Sequence, residues 1–559
     1  MVNPFMDRRD FLSIHGSNAS PVAVKRASRR ASTGLTPVTG NLTKAQALHL
    51  LRRCLFGVRV SEMKSFTGMD VASAVDALLN VNTTPSVLPL NYYGNTTTDP
   101  DVAYGQTWVT APFNGTVNFL RRSSWKFWHL GQTLNQDTTI LEKMVLFWHN
   151  HFVTESESVP DARMNHLYLK TIRDNALGNF KTLTKAMTLD PAMLYYLNGY
   201  LNVKTAPDEN YARELQELFT LGKGPDSKYT EDDVKAAARI LTGWSISVSG
   251  SVPSNTFTLS KHDTTDKSFS SFFGNATIKG KNTSNAGDLE LDDLLTMIFN
   301  QNEVAKFICR KLYRYFVYYD ITPEIETNVI APLADHFRNN NYDIKSVLAK
   351  LLKSEHFFDP GNMACIIKDP ISDISGFCRQ MEMAFPPASN PEVQYTHWGY
   401  LHTFIQSLQL NLGDPPNVAG WPAWYQEPLF YRSWITSDSL PKRNQFTDAF
   451  LYTGFKRGGF TTVVDTLIVT KQFSHPEDAD QLIAEAVEFL IPMALSSSQI
   501  SGLREILLPG GIPAYNWTDD WNAALNTGAS NHATALSSVI AKLKSLYKAI
   551  MNLSEYQLS

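Results

Sequence analysis

Apolar residues recur along most of this chain at intervals of three and four, the spacing that gathers them on one face of a helix. In "TKAQALHLLRRCLFG", Leu48, Leu51 and Leu55 share such a face; Thr43 and Gln46 stand at capping-box spacing, and Gly57 offers the left-handed turn that ends a helix. "LDPAMLYYL" sets Asp190 as N-cap ahead of Pro191 at the first helical position. "YTEDDVKAAARILTGW" repeats the logic, with Thr230 and Asp233 at the start and Val234, Ala237, Ala238 and Leu241 inward. Further helical periods cover 303–316, 323–337, 344–354, 370–383, 479–490 and 533–551.

Period-two alternation is weak and confined to 244–273, where "WSISVSGSVPSNTFTLS" suits a small hairpin. Residues 81–118 and 384–398 are rich in Pro, Asn and Thr and read as long surface loops. The pattern predicts a mainly α, multi-helical globular protein with long irregular loops and at most a small β excursion. At 559 residues the chain exceeds one ordinary core. The expected division is a basic irregular arm over 1–40, a helical region over 41–243, the excursion over 244–285, a second helical region over 286–455 and a C-terminal helical region over 456–559.

Composition adds exclusions. With 43% hydrophobic and 19% charged residues the chain is globular in type, and its net charge of −4 offers no global attraction for nucleic acid. No run approaches the ~18 apolar residues of a membrane span. The four cysteines form no CxxC pair, and Cys365 and Cys378 are expected as buried thiols rather than a bridge. "MDRRDFLS" at 6–13 is like a twin-arginine export signal, but the polar, basic stretch that follows lacks the apolar core such a signal needs. Residues 1–40 are thus read as a basic irregular arm or a degenerate export signal, and the missing apolar core keeps a cytoplasmic location as an alternative.

Candidate chemistry sits in four places. In "LEKMVLFWHNHFVTE", Glu142 and His149 lie seven apart on one helical face and His151 points away, so the i, i+4 histidine pair of the zincins is missing. In "PDENYARELQELFTLG", Glu209, Arg213 and Glu217 form one stripe, and Glu214 stands on the next. Acids beside buried neighbours require an arginine or a metal. One reading is a structural network in which Arg213 and Arg239 neutralise Glu217. The other is a site where Glu142, His149 and some of these glutamates converge. In that second reading Glu142, His149 and Glu214 would do acid–base work, and His149, His151, Glu209 and Glu217 would hold a divalent metal.

"SKHDTTDKSF" adds His262 and Asp263 on a loop as further acid–base candidates. Trp421, Trp424 and Trp434 crowd a Pro/Gly-rich segment and make either a substrate-stacking platform or a core plug. There is no nucleotide-binding glycine loop and no GxSxG elbow.

Taken in order, "LLRRCLFG", "EKMVLFWHNHF", "LDPAMLYYLNG", "DENYARELQELFTLG", "YTEDDVKAAARILTGW", "KHDTTDKSFSSFFG", "PPNVAGW" and the terminal "SEYQLS" resemble the bacterial family called domain of unknown function 1800. The start "MDRRDFL" is similar to Bacteroidetes members. The resemblance implies a bacterial protein often placed outside the cytoplasm and often encoded beside a sulfatase-like partner family, domain of unknown function 1501. It implies no established activity. Two functions remain in view. The favoured one is a non-catalytic scaffold or binding component of an extracytoplasmic or cell-surface assembly, because no cluster has a recognised catalytic spacing. The alternative is a metal-assisted hydrolase or lyase acting on a polymer such as a polysaccharide.

Overall fold

The Lys44–Cys54 helix opens as its sequence requires. The Thr43 hydroxyl accepts from the Gln46 N–H, and the Gln46 side chain reaches back to the Thr43 backbone. The computed structural model describes residues 34–559, so most of the basic arm, 1–33, lies outside the described residues. Asp190 with Pro191 and Thr230 with Asp233 begin their helices in the same way. The described chain is mainly α, with three two-stranded ribbons. One ribbon is the hairpin read from the sequence, Trp244–Ser247 paired antiparallel with Ser254–Phe257.

Some elements depart from the sequence pattern. The Pro391–Ser407 helix starts inside the stretch expected as a loop, with Asn390 as its cap and Pro391 at its first position. Asn and Pro, which made the stretch read as a loop, here supply a helix cap and first position. The Asn118–Leu134 and Ala162–Asp174 helices were hidden for another reason. Their inner faces carry Arg121, Lys126, Arg163 and Arg173, which interrupt the apolar period. These charges are matched inside: Arg121 with Asp99, Lys126 with Asp414, Arg163 with Asp161.

The acidic stripe changes most. Asn210–Glu214 is α-helical, but Leu215–Thr220 widens into a π-helix, so the Leu221 N–H bonds Gln216 O. The extra residue in the turn rotates Glu217 off the stripe that holds Glu209 and Arg213.

Buried apolar residues from Leu35 to Leu558 form one contiguous cluster. Residues 36–38 run along 353–355 through backbone bonds. All four cysteines are buried free thiols. Among the described residues, no helix is long and apolar enough to cross a membrane.

Gly57 marks the tightest approach of the first helix to a later one. Its φ is +83°, and a Cβ there would stand 2.5 Å from the Gly376 Cα and carbonyl oxygen. Left-handed strain and overpacking add, so Gly57→Ala is expected to cost about 2–4 kcal/mol in denaturant unfolding. Gly376→Ala meets only ordinary contacts, the nearest at 3.6 Å, and should stay near wild type. Equal losses at both positions would show that the close approach is not the cause.

Candidate functional site

The motif residues are largely engaged with one another's neighbours rather than with one another. Glu142 accepts a two-pronged bond from Arg173, at 3.0 and 2.5 Å, and both side chains are buried. His149 is fully buried. The Tyr168 hydroxyl donates to Phe152 O at 2.6 Å, which leaves its oxygen to accept from His149 Nδ1 at 2.8 Å. His149 Nε2 is then a lone pair with no partner among the described residues. Burial pushes this imidazole down to about 4, with Asp414 opposing weakly, so it is neutral at physiological pH.

His151 turns the other way. Its Nε2 lies 3.0 Å from Phe219 O and donates to it, so Nδ1 accepts from Lys311 Nζ at 2.9 Å. Burial, then Lys311, holds His151 well below the ordinary imidazole value.

The predicted charge network takes different partners. Arg213 bonds Glu231 at 2.8 and 2.7 Å and Glu209 at 3.0 Å, not Glu217. Its side chain is 34% exposed, which puts these among surface pairs worth roughly 0–1 kcal/mol. Glu217 pairs instead with Lys223, and Arg239 bonds Asp263 at 2.7 Å. Glu214 keeps one buried oxygen without a partner among the described residues, and burial followed by Glu217 raises its carboxyl. His262 is buried, with Nδ1 2.9 Å from Thr242 O and Nε2 3.2 Å from Glu290. Glu142, His149, His151, Glu209, Glu214, Glu217, His262 and Asp263 are thus spread over separate partnerships. Among the described residues, no three His, Cys, Asp or Glu side chains are placed to hold a metal ion.

A different set of residues converges on a cleft. Its cavity of about 60 Å³ holds a few water-sized groups, the scale of one carboxylate, phosphate or sulfate. Six cationic side chains line it: Arg52 and Arg53 from the Lys44–Cys54 helix, Lys143 from Leu141–His151, Lys311 and Arg314 from Asn302–Phe316, and Lys368 just before Pro370–Gln380. Asp369 is the acidic side chain facing them. Trp424 and Trp434 stand in the wall with Tyr315 and Phe147. Trp421 does not; it is buried against His149, with ring centroids 5.5 Å apart, and supports Trp424 edge-on.

Arg53 is the most telling of the six. It is 4% exposed, and Nη2 donates to Asn362 O at 2.8 Å and to Cys365 Sγ at 3.4 Å. Its Nε and Nη1 are buried with no partner among the described residues. Lys368 rests its ammonium 3.6 Å above the Tyr556 ring. Burial drives both Lys311 and Lys368 down to about 7, with Arg314 adding to the first, and Arg52 and Arg443 outweighing part of the pull of Asp373 on the second. Lys143 lies 3.7 Å from Asp369 and Arg314 4.0 Å from Glu427, whereas Arg53 has no acid at ion-pair distance among the described residues. A ligand anion would satisfy it, since paired and hydrogen-bonded charge is what makes buried cations tolerable.

Motif reading found Trp424 and Trp434 but missed the cations. Their signal was present: arginine and lysine at inward positions of otherwise apolar helices, as in "LLRRC" and "CRKLYRYF". Nothing in the sequence joins segments so far apart.

A family model described as "Protein of unknown function (DUF1800)" matches residues 49–558. No curated protein and no solved structure matches the chain.

Proposed function

From the premise that this chain belongs to the DUF1800 family, we propose that it is a binding component whose cationic, aromatic-walled cleft seats an anionic group of its ligand or partner. The carrying observation is Arg53, buried beside five further cations with two guanidinium nitrogens that have no partner among the described residues. Trp424 and Trp434 give the flanking apolar surface on which the body of such a ligand would lie. The arginine pair near the start and the resemblance to a family encoded beside a sulfatase-like one favour an extracytoplasmic assembly with such a partner. The metal-assisted hydrolase or lyase has less support, because its ligand set is not gathered among the described residues.

The test is calorimetric titration of the full chain with sulfate and with phosphate. Binding is expected to weaken severalfold from pH 6 to pH 8.5, because Lys311 and Lys368 lose their charge near pH 7. The bound anion favours the ammonium forms, so binding should take up protons in that range. The stability of the free protein moves oppositely. Between about 7 and the ordinary lysine value of about 10.4 the unfolded chain binds more protons than the folded one, so these two lysines make stability rise with pH. Absence of any sulfate or phosphate binding at pH 6 would reject the anion reading.

A further inference from the structure

We propose that the cleft also captures carbonyl compounds covalently, with the Lys311 amine forming a reversible imine to an aldehyde or ketone that carries an anionic group. This rests on the anion-seating reading above. The geometry sets Lys311 apart from a surface lysine. Its Nζ contacts His151 Nδ1 at 2.9 Å, Leu218 O at 3.4 Å and the Phe307 ring at 4.8 Å, and none of these is a carboxylate. His151 is fixed as the Nε2–H tautomer by Phe219 O, so its Nδ1 lone pair takes one amine hydrogen and leaves the nitrogen lone pair free once the ammonium has lost its proton.

The charged surroundings favour that neutral state. Arg314 comes from the same helix, Arg52 and Arg53 from Lys44–Cys54, Lys143 and His151 from Leu141–His151, and Lys368 with Asp369 from the opposite wall. Burial lowers the Lys311 amine most and Arg314 adds to it, so the amine titrates at about 7 and is substantially unprotonated at neutral pH. A lysine desolvated beside other cations is a recognised nucleophile. The guanidinium of Arg53 would hold the ligand's anionic group in the same cavity.

The step balances without a further reactant. The amine lone pair attacks the carbonyl carbon, a C–N bond forms, and the C=O π pair moves to oxygen, which takes a proton. Loss of water then gives the C=N bond, so amine and carbonyl yield imine and water.

The experiment treats the full chain at pH 7 with glyoxylate, a small aldehyde that carries a carboxylate, and sodium cyanoborohydride, whose hydride reduces the imine to a stable carboxymethyl-lysine. Peptide mass mapping is expected to find Lys311 modified at least tenfold more than the exposed Lys235. Excess sulfate should suppress that labelling, and neutral acetaldehyde should show much less preference for Lys311. Labelling no greater at Lys311 than at Lys235, or concentrated on Lys143 or Lys368 instead, would overturn the assignment. Sulfate binding measured in parallel separates the two readings: binding without Lys311 labelling defeats the imine alone, and no binding defeats the anion seat.

Discussion

Arg173→Met is expected to remove about 3–5 kcal/mol of folding stability, the typical loss when one partner of a buried ion pair is deleted. Glu142 and Arg173 are 4% and 7% exposed, and the guanidinium makes both of its forked bonds to the same carboxylate. Its Nε also donates to Thr83 O at 2.9 Å, tying the loop to the helix. Without it, Glu142 would be a buried carboxylate facing apolar helices, where its charge is costly and taking up a proton relieves the cost. The folded variant would then bind more protons than the unfolded one, so its stability falls as pH rises through that window. The deficit should therefore be smaller at pH 5 than at pH 8, whereas Glu142→Gln, which orphans the arginine instead, should show no such relief. Guanidinium unfolding at both pH values measures this. A loss below about 1 kcal/mol would mean that water reaches the pair, and it would return Glu142 to the list of acid–base candidates.

The second large effect concerns binding. Arg53→Met should weaken sulfate binding by roughly 10- to 100-fold, because hydrogen bonds from a charged donor contribute about 1.5–3 kcal/mol and each 1.4 kcal/mol is tenfold. The same substitution removes a buried cation that has no carboxylate partner among the described residues, so the ligand-free protein should keep or raise its melting temperature. Loss of binding together with gained stability is the mark of a residue held for a ligand. Arg213→Met serves as the control: that guanidinium is a third exposed and lies among surface acids, so sulfate binding should be unchanged. If Arg53→Met melts several degrees lower and still binds sulfate, Arg53 is a structural strut for the 362–365 turn instead.

Local chemistry was the readable part of this sequence. Thr43, Asp190 and Thr230 are capped as their spacing requires, and the Trp244 hairpin pairs where alternation placed it. The π-helix was not readable, since Leu215–Thr220 has the same apolar spacing that an α-helix would have, and only the tertiary fit widens it. For that reason Glu217 was assigned to the wrong stripe. Of the candidate site, acids and histidines were visible as types, but their partners were not. Arg173 pairs with Glu142, and Tyr168 bonds His149 Nδ1, both from a helix whose own period was masked by these polar residues. The cations of the cleft were not readable as a group, because Arg52 with Arg53, Lys143, Lys311 with Arg314, and Lys368 come from four segments far apart in the chain.

The Ser554–Gln557 turn carries a consequence for how the cleft is assembled. Leu558 bridges Ile367, the Lys368 N–H bonds Gln557 O, and Tyr556 lies beneath the Lys368 ammonium. Arg443, bonded to Gln557 and to Lys368 O, locks the same corner. During synthesis Tyr556 emerges about 25–100 s after Arg53 at the usual ~5–20 residues per second. Throughout that interval the nascent chain presents a basic, aromatic surface whose final wall has not yet been translated. The cleft therefore depends on the 556–559 segment, and ribosome-stalled chains ending before residue 550 should be unable to retain the anions that the 559-residue chain binds.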